Sequence, residues 1–284
     1  MLPLRDALNK AKKELEKIGC SESYLEAELI IATTLGVGRV DIYKFDYLNE
    51  EQEILFYNLL KKRLQGYPIA YIMKKKYFYD LELVVDSNVL IPRPETEVLL
   101  EIAFDLIERK SINSVVEIGV GSGNIVIPLA RKFPHLNIYA CDISPSAIRI
   151  AKRNAEKYKV AEKINFYLGP YLYPFFLRKI DFQLIITNPP YVSAREMVFL
   201  PQEVKREPWK ALYGGFDGCK FYKEIFREMK SLVGGIFLAE ISEFIGKKIE
   251  NLVKSYFNNF SFEIYKDYFG KDRIVKLEWG SILK

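Results

Sequence analysis

Phe182-Gln183-Leu184-Ile185-Ile186-Thr187-Asn188-Pro189-Pro190-Tyr191 is an apolar run that stops at a rigid polar corner. The run Phe182 to Thr187 reads as a buried strand, and open α/β sheets place their ligands just beyond the carboxyl ends of such strands. Two consecutive prolines fix φ near −65° and give up two backbone donors. Carbonyl oxygens and the Asn188 amide are then left to accept hydrogens, with the Tyr191 ring beside them. A planar group carrying an NH2 suits that corner. An ordinary proline-rich turn after a strand is the alternative reading, and the surrounding chain has to decide between them.

Working outward, apolar runs alternate with amphipathic stretches from about Glu95 onward. Strands are expected at Ser114 to Ile118, Asn137 to Cys141, Ile164 to Leu168, Phe182 to Thr187, Gly235 to Ile241, Phe260 to Tyr265 and Arg273 to Trp279. Helical segments such as Ile125 to Lys132, Pro145 to Tyr158 and Lys220 to Ser231 lie between them. This alternation predicts a mostly parallel sheet covered on both faces, an α/β fold. The first ~75 residues have a different period: Leu4, Ala7, Leu8, Ala11 and Leu15 share one helical face, and Leu25, Leu29 and Ala32 share another. Ser23 with Glu26 and Asn49 with Gln52 have capping-box spacing, so helices are expected to start near Tyr24 and Glu50. Tyr67 to Ile91 alternates apolar and polar residues and reads as a hairpin joining a small helical domain to the sheet.

The first predicted strand of the sheet ends in Glu117-Ile118-Gly119-Val120-Gly121-Ser122-Gly123, where alternate glycines let the backbone turn tightly and come close to a ligand. A dinucleotide loop would carry its third glycine at position 124, which is Asn124, so the spacing suits a nucleoside without a pyrophosphate. Asp142 ends the second strand, where a carboxylate accepts from ribose hydroxyls; the alternative is that it only caps the following helix, a task open to Ser144. Tyr171, after the third strand, offers a face for a base or packs against Tyr173 and Phe175.

Composition excludes several classes. The 284 residues, 49% hydrophobic, contain no run near the ~20 apolar residues of a membrane span, and Met1 to Lys17 lacks a signal-like apolar core, so a cytoplasmic protein is expected. Cys20, Cys141 and Cys219 are far apart and odd in number, and His135 is the single histidine, so neither a metal site nor an imidazole triad is expected. The net charge of +5 is spread among 37 acids and forms no basic block, permitting nucleic-acid partners without requiring them.

With the glycine loop, Asp142 and the Asn-Pro-Pro-Tyr corner in this order, the chain resembles class I S-adenosylmethionine-dependent methyltransferases acting on amide or exocyclic nitrogens. Further segments resemble the peptide chain release factor glutamine methyltransferases. They are Gly66-Tyr67-Pro68-Ile69-Ala70-Tyr71-Ile72, Ile91-Pro92-Arg93-Pro94-Glu95-Thr96-Glu97, Glu207-Pro208, Ala211-Leu212-Tyr213-Gly214-Gly215-Phe216-Asp217-Gly218, and Asp267 with Gly270-Lys271-Asp272-Arg273. The relatives that methylate a ribosomal protein glutamine usually have Pro-Arg-Ser-Pro where this chain has Pro-Arg-Pro-Glu. Adenine methyltransferases of RNA and DNA share the corner but not its surroundings.

The resemblance implies a Rossmann-like seven-stranded methyltransferase sheet with helices on both faces, over residues 93–284. It also implies a helical substrate-docking domain over 1–75 and a hairpin linker over 76–92. S-adenosyl-L-methionine is the implied cofactor and S-adenosyl-L-homocysteine the product. The partners are class I release factors, met by a monomer without membrane or direct nucleic acid. Cofactor contacts fall on Glu117, Gly119, Val120, Gly121, Ser122, Gly123, Asp142, Tyr171 and Asn188. Glu117 either meets the methionine amino group or orders the loop. Asn188, Pro189, Pro190 and Tyr191, walled by Arg93, Glu95 and Thr96, receive the substrate; of these Asn188, Pro189 and Tyr191 carry the chemistry. The chain departs from the family at Lys74, where a turn glycine is usual, at Pro170, where an acid near the adenine is usual, and at Ile241-Ser242-Glu243.

Overall fold

The computed structural model describes residues 1–280 and resolves two compact units: Met1–Lys76 with Pro201–Arg206, and Tyr77–Leu200 with the chain from Glu207. In the larger unit seven strands form one sheet. They are β1 (Ser114–Ile118), β2 (Asn137–Asp142), β3 (Ile164–Leu168), β4 (Leu184–Thr187), β5 (Gly234–Glu240), β6 (Phe260–Lys266) and β7 (Asp272–Gly280). Their order is 3-2-1-4-5-7-6, with β6–β7 and β7–β5 antiparallel and the remaining neighbours parallel. The predicted strands are all present, β1 and β3 with the expected limits and the others with ends displaced by a residue or two.

Side chains alternate between two cores, as the period of two requires. Val115, Ile138, Leu184, Ile186 and Leu238 pack on one face with Leu99, Ala103 and Ile127 from the helices Glu95–Arg109 and Val126–Lys132. Val116, Cys141, Ile185, Phe237 and Leu277 pack on the other with Tyr222, Ile225 and Phe226 from the helix Lys220–Met229 and with Ile249 from Gly246–Tyr256. The order reverses between β1 and β4, and the crevice at such a reversal lies outside the carboxyl ends of the strands. Ile118 of β1 is in register with Thr187 of β4, whose hydroxyl donates to the Ile118 carbonyl at 2.8 Å. The glycine loop and the proline corner therefore leave the sheet side by side.

The smaller unit contains the helices Leu4–Lys17, Ser23–Leu35, Glu50–Leu64 and Ile69–Met73, with a short antiparallel pairing of Leu2–Pro3 and Tyr47–Leu48. Asn49 caps its helix as expected: its side chain accepts from Gln52 N, and the Gln52 side chain accepts from Asn49 N, each at 2.9 Å. The Ser23 capping box does not form. The helix starts at Ser23 itself, with Glu22 as an N-cap that makes no side-chain bond, and Glu26 instead takes a two-pronged bond from Arg63 at 2.5 and 3.0 Å. The face expected from Leu25, Leu29 and Ala32 is displaced: Ala32 is buried, but Leu25 and Leu29 are only half-buried and stay outside the core. This helix packs against Leu4–Lys17, Glu50–Leu64 and Ile69–Met73 together, so Ala27, Ile30, Ile31 and even the paired acids Glu26 and Glu28 are buried.

Pro201–Arg206 belongs to this unit: Glu203 lies 3.2 Å from Arg63, and Arg206 donates to the Gln65 carbonyl. The hairpin is shorter than its alternation suggested, pairing Lys75–Phe78 with Leu81–Val84. Ile69–Met73 is helical because Pro68 starts a turn whose Ala70 and Ile72 are buried. Lys74 ends that turn at φ 56°, a left-handed conformation in which a glycine carries no steric penalty.

Candidate active site

A cavity of about 560 Å³ opens at the carboxyl ends of β1, β2 and β4. Gly119, Gly121 and Ser122 form one side. Gly121 has φ 52°, and a Cβ built on it meets nothing within 4 Å, so the backbone faces open space. Val120 and Gly123 do not line the cavity. Val120 is fully buried with its N–H on the Cys141 carbonyl, and a Cβ on Gly123 would strike Ile127 at 2.8 Å, so this glycine lets the next helix pack under the loop. Asn154, fully buried in the helix Pro145–Lys157, steadies the loop: its Nδ2 donates to the Ser122 carbonyl at 2.9 Å while its Oδ1 accepts from Val84 N.

Asp142 lines the cavity and takes two backbone N–H groups, from Ser144 to Oδ1 at 2.8 Å and from Gly121 to Oδ2 at 3.1 Å. Burial raises its pKa against those bonds. Ser144 caps the following helix, accepting from Ala147 N, so Asp142 is released from that task. Glu117, also in the wall, is 1% exposed, and its Oε2 has no hydrogen-bond partner. Burial pushes its carboxyl well above the usual range. An unpartnered carboxylate oxygen in a buried wall is costly unless a ligand donor meets it. Tyr171 sits at φ 48°, and its ring lies against Phe221 with centroids 5.9 Å apart, at the edge of the core that holds Phe175. Such strained backbone persists only where surroundings over-determine it. Here the Cys141 thiol donates to the Tyr171 carbonyl, and Leu172 N donates to Glu228.

The same cavity is lined by Asn188, Pro189 and Pro190, together with Arg93 and Thr96. Asn188 Nδ2 donates to Thr96 Oγ1 at 3.1 Å, which donates to Glu240 Oε2 at 2.6 Å. Tyr191 is not a lining residue: its hydroxyl donates to Glu240 Oε1 at 2.9 Å, drawing the ring behind the corner. Burial and the nearby Glu240 carboxylate hold that phenol well above its ordinary pKa, so it stays a donor. Glu95 also misses the cavity. It precedes Thr96 in the first turn of the helix, about 100° around the axis, and points elsewhere. Arg93 lines the wall but is bonded to Glu207, which also accepts from Ile91 N at 3.0 Å and so ties the stiff Ile91–Thr96 stretch in place.

The segment Leu212–Gly218 closes the corner from behind. Val192 N donates to Leu212 O, and Gly214 N donates to Val192 O. Added Cβ atoms on Gly214 and Gly218 would each lie 2.6 Å from Tyr191 backbone atoms. Asp217 accepts from Cys219 N and pairs with Lys223, and Asp267 pairs with Arg273 at 3.1 Å; both are structural contacts.

Comparison with known proteins supplies the relationship. A curated release factor glutamine methyltransferase of Dictyoglomus turgidum is 48% identical over 98% of this chain and 99% of its own. The chain belongs to the release factor glutamine methyltransferase family. Members from Bacillus subtilis and Aquifex aeolicus are 34% and 37% identical, over 97% and 94% of this chain and 97% and 96% of theirs. Residues 6–73 match the model of the PrmC N-terminal domain, and residues 95–207 that of the methyltransferase small domain.

Among solved structures, the human hMettl16 catalytic domain in complex with a MAT2A 3′UTR hairpin shares the fold. Its TM-score is 0.56 at 15% identity, over 70% of this chain and 75% of that one. A second structure, the N-terminal domain of human METTL16 in complex with SAH, has a TM-score of 0.50 at 15% identity, over the same shares. For a family member, three site residues escaped the sequence reading: Asn154, Glu207 as the partner of Arg93, and Glu240. Each acts on a residue far along the chain, and only the buried acid at the end of an apolar strand, Glu240, left a local signal.

Proposed function

We propose that this chain transfers a methyl group from S-adenosyl-L-methionine to the side-chain amide nitrogen (N5) of the glutamine in the Gly-Gly-Gln motif of class I peptide chain release factors. The observation that carries this reading is that one cavity holds both the glycine loop with Glu117 and Asp142 and the acceptor corner Asn188–Pro189. Donor and acceptor of the methyl group then meet without a conformational search. The curated relatives favour a release factor over a ribosomal protein glutamine or an adenine amino group.

The residues present fit the cofactor. Glu117 Oε2 lacks a donor and suits an ammonium, Asp142 retains acceptor capacity for ribose hydroxyls, and the open face of Gly121 leaves room for a chain to lie close. Pro170 offers no acceptor side chain to a base; Tyr171 and the exposed Ile143 give it apolar contact instead. When bound, S-adenosyl-L-methionine supplies a methyl group on positively charged sulfur and leaves as S-adenosyl-L-homocysteine.

The corner answers the difficulty that an amide nitrogen is a poor nucleophile. Asn188 Oδ1 and the Pro189 carbonyl accept the two hydrogens of the substrate NH2, returning electron density to nitrogen and fixing its line of attack. Orientation of this kind supplies up to ~7–11 kcal/mol of a barrier. The nitrogen loses one proton to solvent after forming its new bond to carbon, so a histidine base is unnecessary. Tyr191 acts from behind, bracing the corner through Glu240. The helical unit is assigned to docking of the release factor.

Incubation with methyl-labelled S-adenosyl-L-methionine tests the reading. Label should enter a purified class I release factor. Label in ribosomal RNA, DNA or a ribosomal protein, with the release factor untouched, would overturn it.

A further inference from the structure

Behind Asn188 the side chains of Thr96, Glu240 and Tyr191 form one hydrogen-bonded line, and each member has its direction fixed by the next. Both oxygens of the Glu240 carboxylate are taken, Oε2 by Thr96 and Oε1 by Tyr191, while its backbone carbonyl accepts from the Tyr222 hydroxyl at 2.5 Å. A carboxylate only accepts, and a threonine hydroxyl has one hydrogen. That hydrogen is committed to Glu240. Thr96 can therefore meet Asn188 only as an acceptor, and the group it meets is Nδ2. Thr96 is 0% exposed and Glu240 1%, so solvent offers neither an alternative partner.

The two faces of an asparagine amide are nearly identical in shape and opposite in chemistry. With Nδ2 on Thr96, Oδ1 is the atom left to the cavity. Reversed, the amide would present its own hydrogens to the hydrogens of a substrate NH2. Nothing in the Asn188 backbone chooses between the two. The choice comes from residues 92 positions away at Thr96 and, through it, from Glu240 at the end of β5.

We infer that Thr96 and Glu240 are positioning residues for methyl transfer, setting the direction of the Asn188 amide so that its oxygen faces the substrate. The inference rests on Asn188 being the acceptor for the substrate amide. It also explains why an acid is buried at position 240. An isosteric glutamine keeps every buried group satisfied only by giving its oxygen to Tyr191 and its NH2 to Thr96. The Thr96 hydrogen then turns to Asn188 Oδ1 and reverses the amide.

The test is a kinetic comparison of Thr96→Val, Thr96→Ser, Glu240→Gln and Asn188→Ala. For each, kcat and KM are measured for the release factor, together with S-adenosyl-L-homocysteine affinity by calorimetry. Thr96→Val and Glu240→Gln should lower kcat by on the order of 100-fold, the scale for one mis-set polar partner at a reacting group. Product affinity should stay within a few-fold of wild type, and Thr96→Ser should restore most of kcat. Equal loss in Thr96→Val and Thr96→Ser would make position 96 a packing site and overturn the inference; so would near-normal kcat in both Thr96→Val and Glu240→Gln. Should one of those two fail to fold, the other decides by the same criteria. Collapse of kcat in Asn188→Ala with normal rates in the Thr96 and Glu240 variants sinks this inference alone. Near-normal kcat in Asn188→Ala sinks the reading of the corner itself.

Discussion

Gly214→Ala probes how tightly the corner is set. Gly214 is not at positive φ, so alanine meets no backbone objection there, and the effect is steric. The new Cβ would lie 2.6 Å from Tyr191 Cα, 2.7 Å from Pro190 O and 2.8 Å from Tyr191 C, where ordinary contact begins near 3.4 Å. All three atoms are backbone, so no rotamer change relieves the clash. The corner and its closing segment must part by about 0.8 Å, in a site where a 1 Å misplacement costs on the order of 100-fold in rate. That corresponds to about 2.7 kcal/mol in the barrier. Overpacking should also lower stability by about 1–3 kcal/mol.

The assay is steady-state methylation of a release factor, with calorimetry of S-adenosyl-L-homocysteine binding alongside. Product affinity should be near normal, because the clash falls on Pro190 and Tyr191 and not on Gly119, Gly121 or Asp142. Gly270→Ala is the control: φ is 78° and its Cβ faces open space, so stability should fall while kcat holds. A Gly214→Ala enzyme with kcat within a few-fold of wild type would refute the reasoning.

Three further outcomes are expected. Asn188→Ala should nearly abolish turnover with product affinity within a few-fold of wild type; equal loss of both would place Asn188 on the cofactor side. S-adenosyl-L-homocysteine affinity should weaken as pH falls through the raised pKa values of Asp142 and Glu117, because the charged carboxylates, which only accept, exist only above them. The acid-side fall should be shallower in Asp142→Asn, and a flat pH profile for wild type would contradict the ribose and ammonium assignments. Lys74→Gly should stabilise the protein by about 0.5 kcal/mol, the relief of a left-handed residue exceeding the added freedom of the unfolded chain. A lower Tm would show that Lys74 contributes a contact outweighing its strain.

The sheet was legible because its strands carry continuous apolar runs with turn residues at their ends, and β1 and β3 match their expected limits residue for residue. The glycine loop, Asp142 and the corner were legible for a related reason: each needs particular residues at consecutive positions, and consecutive positions are what a sequence displays. Residues that act on the site from a distance were hidden. Glu240 reads as an acid within the expected strand Gly235 to Ile241, Glu207 as an acid before a proline, and Asn154 as a polar residue in an amphipathic helix. Their roles arise only when the fold brings them to Thr96, Arg93 and Ser122. The helix Ser23–Leu35 misled for the opposite reason. Buried acids neutralised by Arg63 and Arg39 look, in sequence, like an exposed face.

Fragmentation mass spectrometry of the Gly-Gly-Gln segment of a release factor, after incubation with wild-type enzyme and with Asn188→Ala, is the most direct measurement. One methyl group on the glutamine side-chain nitrogen with the wild type, and its absence with the variant, is the expected result. A methyl group on any other atom, or full modification by the variant, would contradict the role given to the corner.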